Sequence, residues 1–300
     1  MRALERRPWI VVAVAVLGIS VAAPLIRLSD AHPIAIAIWR LGFALAIIAA
    51  ILLITGTWRQ WARLKRHHTG MALGAGAMLA LHFWSWNTSL GLTTVAASVV
   101  LVNTQPVIVA ILSALWLGEA PDRRQWIGIA IAVAGAFVLV AGDLNVAAVA
   151  GRDALTGDLL ALAGAVTAAL YYLAGRRLRQ MLDLWPYVGL VYSACLVTLV
   201  LIALLIGAPF LVQPPRELAI FAALALGPMM LGHTGFNWAL RWLPAYVVTL
   251  ATLGEPVGAT LLAAVIPGIE EVPSLGTLIG GVIIVAGVVL AIRPSRERAG

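Results

Sequence analysis

Long apolar runs separated by short polar breaks fill the chain from Trp9 onward. A helix rises about 1.5 Å per residue, so about 20 residues cross the roughly 30 Å hydrocarbon layer of a bilayer. Ten runs approach that length, near 9–28, 33–55, 69–90, 94–117, 124–142, 155–175, 184–207, 216–240, 244–267 and 273–293. The breaks carry turn chemistry: Asp30 to Pro33, Gly118 to Pro121, Pro209 to Pro215 and Pro267 to Pro273. The longest break, near 143–154, falls at the middle of the chain. The pattern predicts an all-helical integral membrane protein with ten transmembrane helices.

Composition agrees. Residues are 62% apolar and only 11% charged, against about 25% charged in soluble chains. The mean hydropathy of +1.00 leaves too little polar surface for a water-soluble body. The basic start Met1 to Arg7 precedes an apolar stretch that runs to about Leu28. A signal peptide has a shorter apolar region, about 7–15 residues, so a first membrane helix is predicted.

The net charge of +7 would suggest nucleic acid in a soluble domain. Here the cations sit in short segments between runs, so no nucleic-acid partner is expected. With ten crossings and the N-terminus inside, sixteen Lys or Arg fall on inner segments and only Arg27, Arg152 and Arg216 on outer ones. The positive-inside bias then predicts both termini in the cytoplasm of a bacterial inner membrane. Tryptophans and tyrosines near run ends, such as Trp9, Trp58, Trp116 and Trp242, read as interfacial anchors. The single cysteine, Cys195, lies inside a run and excludes a disulfide within one chain.

Two stretches match across the midpoint. Asn87, Leu90, Pro106, Leu112, Ala114 and Gly118 recur 150 residues later as Asn237, Leu240, Pro256, Leu262, Ala264 and Gly268. After Gly118 the offset becomes 152, pairing Pro121 with Pro273, Gly128 with Gly280 and Gly135 with Gly287. Five crossings per half is an odd number, so the second half enters the membrane from the opposite side. The predicted organisation is a first five-helix repeat over 1–142, a connecting loop over 143–154, a second, inverted repeat over 155–293 and a cytoplasmic tail over 294–300. Inverted repeats recur in secondary transporters, with the site near the bilayer midplane between the halves.

Candidate chemistry concentrates where the runs are broken. The fourth run carries Asn103, Gln105 and Pro106, and the ninth carries Thr252, Glu255 and Pro256. Each proline removes a backbone donor and disturbs the preceding turn. Pro106 and Pro256 are ordinary kinks, or kinks and gates beside a substrate cavity where re-satisfied backbone is available. Glu255 is the one carboxylate placed near the membrane centre. It reads as a partner for a substrate ammonium, a proton carrier, or a structural hydrogen bond to a neighbouring helix. His82 and Trp86 lie four apart on one helix face, as do His233 and Asn237. The cavity candidates are His82, Trp86, Ser98, Gln105, Tyr171, His233, Asn237, Thr252 and Glu255. Arg40, inside the second run, reads as snorkelling to the outer interface or pairing with a loop acid; the alternative is a guide for anions. Small residues four apart, Gly70 with Gly74, Gly128 with Ala132 and Gly276 with Gly280, read as close helix approaches or a dimer face. The chain is expected as monomer or homodimer. No HExxH, GxSxG, Walker or clustered Cys/His pattern occurs, so no enzyme activity, cofactor or metal is expected.

These residues resemble the drug/metabolite transporter superfamily, in particular its ten-helix EamA-type exporters. The likeness rests on Trp39-Arg40-Leu-Gly-Phe-Ala, the segment from Pro106 to Gly118-Glu119, Glu255-Pro256-Val257 and the glycine-spaced tenth run. The second Gly-Glu departs, since Gly268-Ile269-Glu270 carries an extra residue. The resemblance implies an alternating-access exporter of small metabolites. Aromatic or neutral amino acids come first, moved by facilitated diffusion, with a proton-coupled drug or metabolite antiporter as the alternative. It implies a lining from runs 1, 3, 4, 6, 8 and 9, and runs 5 and 10 packing the halves together. A sugar-phosphate or nucleotide-sugar carrier needs more cavity cations than Arg40 alone. A membrane hydrolase lacks a nucleophile–base signature, and a nontransporting scaffold is the remaining rival.

Overall fold

The computed structural model describes residues 7–93, 95–141, 152–265 and 274–292. The central loop over 143–151, the turn at Gly268 to Glu270 and the tail over 294–300 lie outside them. Every regular element among the described residues is helical. Six of these helices are long and apolar enough to cross a membrane: Pro8–Arg27, Pro33–Thr55, Val100–Leu117, Asp153–Leu178, Leu184–Ile206 and Pro215–Ala239.

In chain order the helices begin with α1 (Pro8–Ser20), α2 (Ala22–Arg27), α3 (Pro33–Thr55) and α4 (Arg66–Leu92). The fourth apolar run is split into α5 (Val95–Val102) and α6 (Gln105–Leu112), followed by a π-helical turn at Ser113–Leu117. Then come α7 (Arg123–Ala141), α8 (Arg152–Leu178), α9 (Leu184–Ile206) and α10 (Pro215–Leu224). A π-helical stretch, Ala225–His233, joins α10 to α11 (Thr234–Ala239). The ninth run is split into α12 (Ala245–Ala251) and α13 (Gly254–Val265), and α14 (Leu275–Ile292) completes the set.

Local chemistry sets these boundaries. Pro33 opens α3 at its first turn, where its missing N–H costs nothing. The His32 ring accepts from the Ile34 N–H at 3.3 Å. Gly56 at φ 65° closes α3 in the left-handed conformation that glycine adopts without strain. Pro228 lies within the π stretch, where the widened turn accommodates a residue that cannot donate.

The interior is built of aliphatic, aromatic and small residues, and many further large aliphatics face outward. Leu53 and Leu205 are 75% and 85% exposed. Such a surface suits lipid, which removes the need to hide apolar side chains. Helix α4 packs along α8 and α9, and α3 packs on α9. Gly76 allows the α4–α9 contact, since a Cβ there would lie 2.5 Å from Ala194 Cβ and Val191 O.

Helices α7 and α14 run antiparallel in a close approach. A Cβ on Gly128 would lie 2.7 Å from the Gly287 carbonyl, and one on Gly135 3.0 Å from the Gly280 carbonyl. Gly70 and Gly74 do not mark an approach of this kind. A Cβ at either would meet nothing within 4 Å, because that face of α4 has no helix against it.

Polar networks close both ends. At the arginine-rich end, Arg176 pairs with Glu119 at 2.7 Å and caps the Leu240 carbonyl at 2.7 Å. Arg179 caps Asn237 O at 2.9 Å, and burial pulls its guanidinium down to about 10. Arg241 and Gln60 both reach Asp183. At the opposite end, Arg216 bridges Asp30 and Glu217, and Glu217 accepts from the Ser29 hydroxyl.

Candidate functional site

Among the described residues, several helices line a cavity in the interior that carries polar side chains. Helix α4 supplies His82 and Trp86, α3 supplies Arg40, and α8 supplies Tyr171 and Tyr172. Asn103 and Gln105 come from the α5–α6 break, and Thr252 and Glu255 from the α12–α13 break. Pro228 and His233 come from the π stretch, Phe236 from α11, and Ile19 and Ala22 from the first two helices.

The two breaks explain why polar groups collect here. Pro106 is the second residue of α6 and Pro256 the third of α13, so both lie in the first turn of the resumed helix. The turn before each proline tightens to i→i−3 bonds, Thr104 N to Leu101 O at 3.2 Å and Leu253 N to Leu250 O at 3.2 Å. The breaks meet: Gln105 Nε2 donates to Thr252 Oγ1 at 3.1 Å. A bond between the two interrupted helices therefore crosses the cavity wall.

His82 and Trp86, one turn apart, stack in parallel with ring centroids 6.1 Å apart and 7° between planes. His82 Nδ1 lies 3.0 Å from the Gly164 carbonyl. A carbonyl only accepts, so Nδ1 carries the proton, which leaves Nε2 as the acceptor when the ring is neutral. A Cβ on Gly164 would crowd Ser85 Oγ at 3.2 Å while meeting Nδ1 at an ordinary 3.7 Å. Phe83 meets His233 edge-on at 5.2 Å.

Arg40 is the residue for which the sequence expectation fails. It neither snorkels nor pairs with a loop acid. Its side chain is 1% exposed and lines the cavity, with Cζ 3.6 Å over the Phe83 ring. Arg40 is the eighth residue of α3, and its guanidinium turns inward onto Phe83 of α4. Nothing in the sequence alone signals that Phe83, forty-three positions on, covers it.

Seven of the nine cavity candidates line the space together: His82, Trp86, Gln105, Tyr171, His233, Thr252 and Glu255. Ser98 and Asn237 do not. Ser98 is fully buried and bonded to Ser89. Asn237 is fully buried behind the wall, donating to the Tyr171 and Tyr192 hydroxyls. It therefore orients Tyr171, which does face the cavity.

Four lining residues keep buried polar atoms without a protein hydrogen-bond partner: Arg40 Nε and Nη2, Trp86 Nε1, Gln105 Oε1 and His233 Nδ1. Buried polar atoms are normally satisfied, so such a concentration around one cavity marks a place for a polar ligand.

An all-helical membrane body enclosing a polar cavity at its helix breaks is the architecture of a small-molecule carrier. The chain belongs to the EamA-like transporter family, whose model matches residues 8–141 and again 155–293. It is a multi-pass membrane transporter and not an enzyme. It is 26% identical over 219 residues to "Uncharacterized transporter YdfC" of Bacillus subtilis, covering 70% of this chain and 67% of that one. It is 31% identical over 205 residues to a "Probable terminal-alkyne amino-acid exporter" of Streptantibioticus cattleyicolor, covering 66% of this chain and 64% of that one. The match thus spans about two thirds of each relative's length. A solved structure titled "Crystal structure of protein" superposes with a TM-score of 0.77 at 22% identity, covering 97% of this chain and 98% of that one, which establishes the shared fold.

Proposed function

We propose that the protein exports neutral or aromatic amino acids across a bacterial inner membrane by alternating access. Ten crossings form two inverted five-helix repeats, with both termini in the cytoplasm. The observation that carries the reading is the cavity where the two helix breaks meet, joined by Gln105 and Thr252 and lined by unsatisfied polar atoms.

Three further points support it. The family model matches twice, once in each half of the chain. The α7–α14 contact is self-consistent under the repeat, since adding 152 to 128 and to 135 gives 280 and 287, so Gly128–Gly287 and Gly280–Gly135 exchange. A relative about one third identical carries an amino-acid exporter's name. The cavity holds one arginine and one glutamate among its lining residues, too little positive charge for a phosphorylated sugar or nucleotide.

Glu255 in the cavity keeps proton coupling as the second reading. Purified protein in liposomes, assayed with radiolabelled L-phenylalanine and L-leucine with and without an imposed pH gradient, separates the two. Facilitated diffusion gives fluxes that follow the amino-acid gradient alone. Acceleration by the pH gradient that is lost in Glu255→Gln establishes coupling instead. No amino-acid flux under either condition refutes the export reading.

A further inference from the structure

We infer that Arg40 and Glu255 are the two poles of a site for a zwitterion, Arg40 holding the α-carboxylate of the transported amino acid and Glu255 its α-ammonium. The inference rests on the export reading above and names the contacts that reading leaves open.

A guanidinium taken out of water needs an anion or several hydrogen-bond acceptors, or it weakens the fold. Arg40 has neither. Phe83 covers one face of the group, an attraction to the ring that leaves every N–H free to donate. Nε and Nη2 are buried with no protein partner. No carboxylate of the described residues forms an ion pair with Arg40, including Glu255, which lines the same cavity. Arg40 and Glu255 thus line the same space with no direct ion pair between them.

A molecule carrying an anion and a cation on one carbon supplies a partner for each group. Its carboxylate accepts the paired N–H groups of Arg40, a geometry for which guanidinium is suited. Its ammonium meets the Glu255 carboxylate. The rest of the wall carries Asn103, Gln105 and Thr252 beside apolar and aromatic groups, of which the His82–Trp86 stack, Tyr171 and Phe236 are available to a neutral side chain. Main-chain charges are recognised strictly and side chains loosely. An acid lacking the amine, or an amine lacking the acid, leaves one pole buried and unpaired.

Competition against L-phenylalanine flux in proteoliposomes tests this without mutation. L-Phenylalaninamide, kept cationic at mildly acidic pH, removes the carboxylate, and 3-phenylpropionate removes the ammonium. Each is expected to compete at least about tenfold less well than L-leucine, the loss of one charge-assisted contact. In Arg40→Gln the penalty for the amide disappears, and in Glu255→Gln the penalty for 3-phenylpropionate disappears. Equal competition by all three compounds in the unaltered protein overturns the pair while leaving amino-acid export intact. Variants that fold, transport and keep the original discrimination overturn it as well. Absence of any L-phenylalanine or L-leucine flux overturns both this inference and the export reading.

Discussion

At the scale of single residues, Asn237 and Arg40 differ in where their side-chain N–H groups go, to protein partners for the one and to none for the other. Asn237 has its amide on two tyrosine hydroxyls and sits outside the lining. Asn237→Ala removes the buried bonds to Tyr171 and Tyr192, of which Tyr192 keeps Thr234 as a partner. The substitution should cost about 1–3 kcal/mol, read as a lowered melting temperature in detergent. Arg40→Gln should behave in the opposite way. It removes an unpaired buried cation, so the melting temperature should hold or rise while amino-acid binding falls. A drop in stability as large as that of Asn237→Ala would mean that Arg40 serves the fold. The spacing of His82 and Trp86 on one helix face was legible in the sequence, because 3.6 residues per turn brings positions four apart together. Arg40 was not, since its role depends on what α4 places above it and on which carboxylates stay away. Ser98 and Asn237 misled for the same reason. Residue type and depth show a polar group inside a membrane, but the identity of its partner is a tertiary fact.

At the scale of helices, apolar run length carried most of the information. Run boundaries and observed helices agree within a few residues for α3, α7 and α9. The proline breaks were also legible, because proline acts on its own helix. The π-helical stretch at Ala225–His233, where Gly227 and Gly232 lie against Gly18, was not. Glycine spacing was half informative. Four-residue pairs occur on α4 and α7 alike, but only the latter meets a neighbour. Gly128→Leu or Gly280→Leu should therefore separate α7 from α14 and destabilise by about 1–3 kcal/mol or more. Gly74→Ala faces open space and should instead stabilise by about 0.5–1 kcal/mol through helix propensity. Thermal denaturation of the three variants side by side checks both signs.

At the scale of the whole molecule, family membership and the membrane body follow from fold and sequence together. The working model is a cavity formed where two interrupted helices from opposite halves face each other. Charge asymmetry, the 150-residue offset and the self-consistent glycine contact all lead to it. The chain's single cysteine, Cys195, is fully buried, so a Cys195→Ser background offers a clean scan for the cavity. In that background, single cysteines at Gln105 and Thr252 should react with a small thiol reagent, and saturating L-phenylalanine should slow both reactions together. A cysteine at Val212, which is 93% exposed in the segment between α9 and α10, should react at the same rate with and without the amino acid. If reactivity at 105 and 252 is unchanged by any transported amino acid, the substrate does not occupy the space between the two breaks, and the account is wrong at its centre.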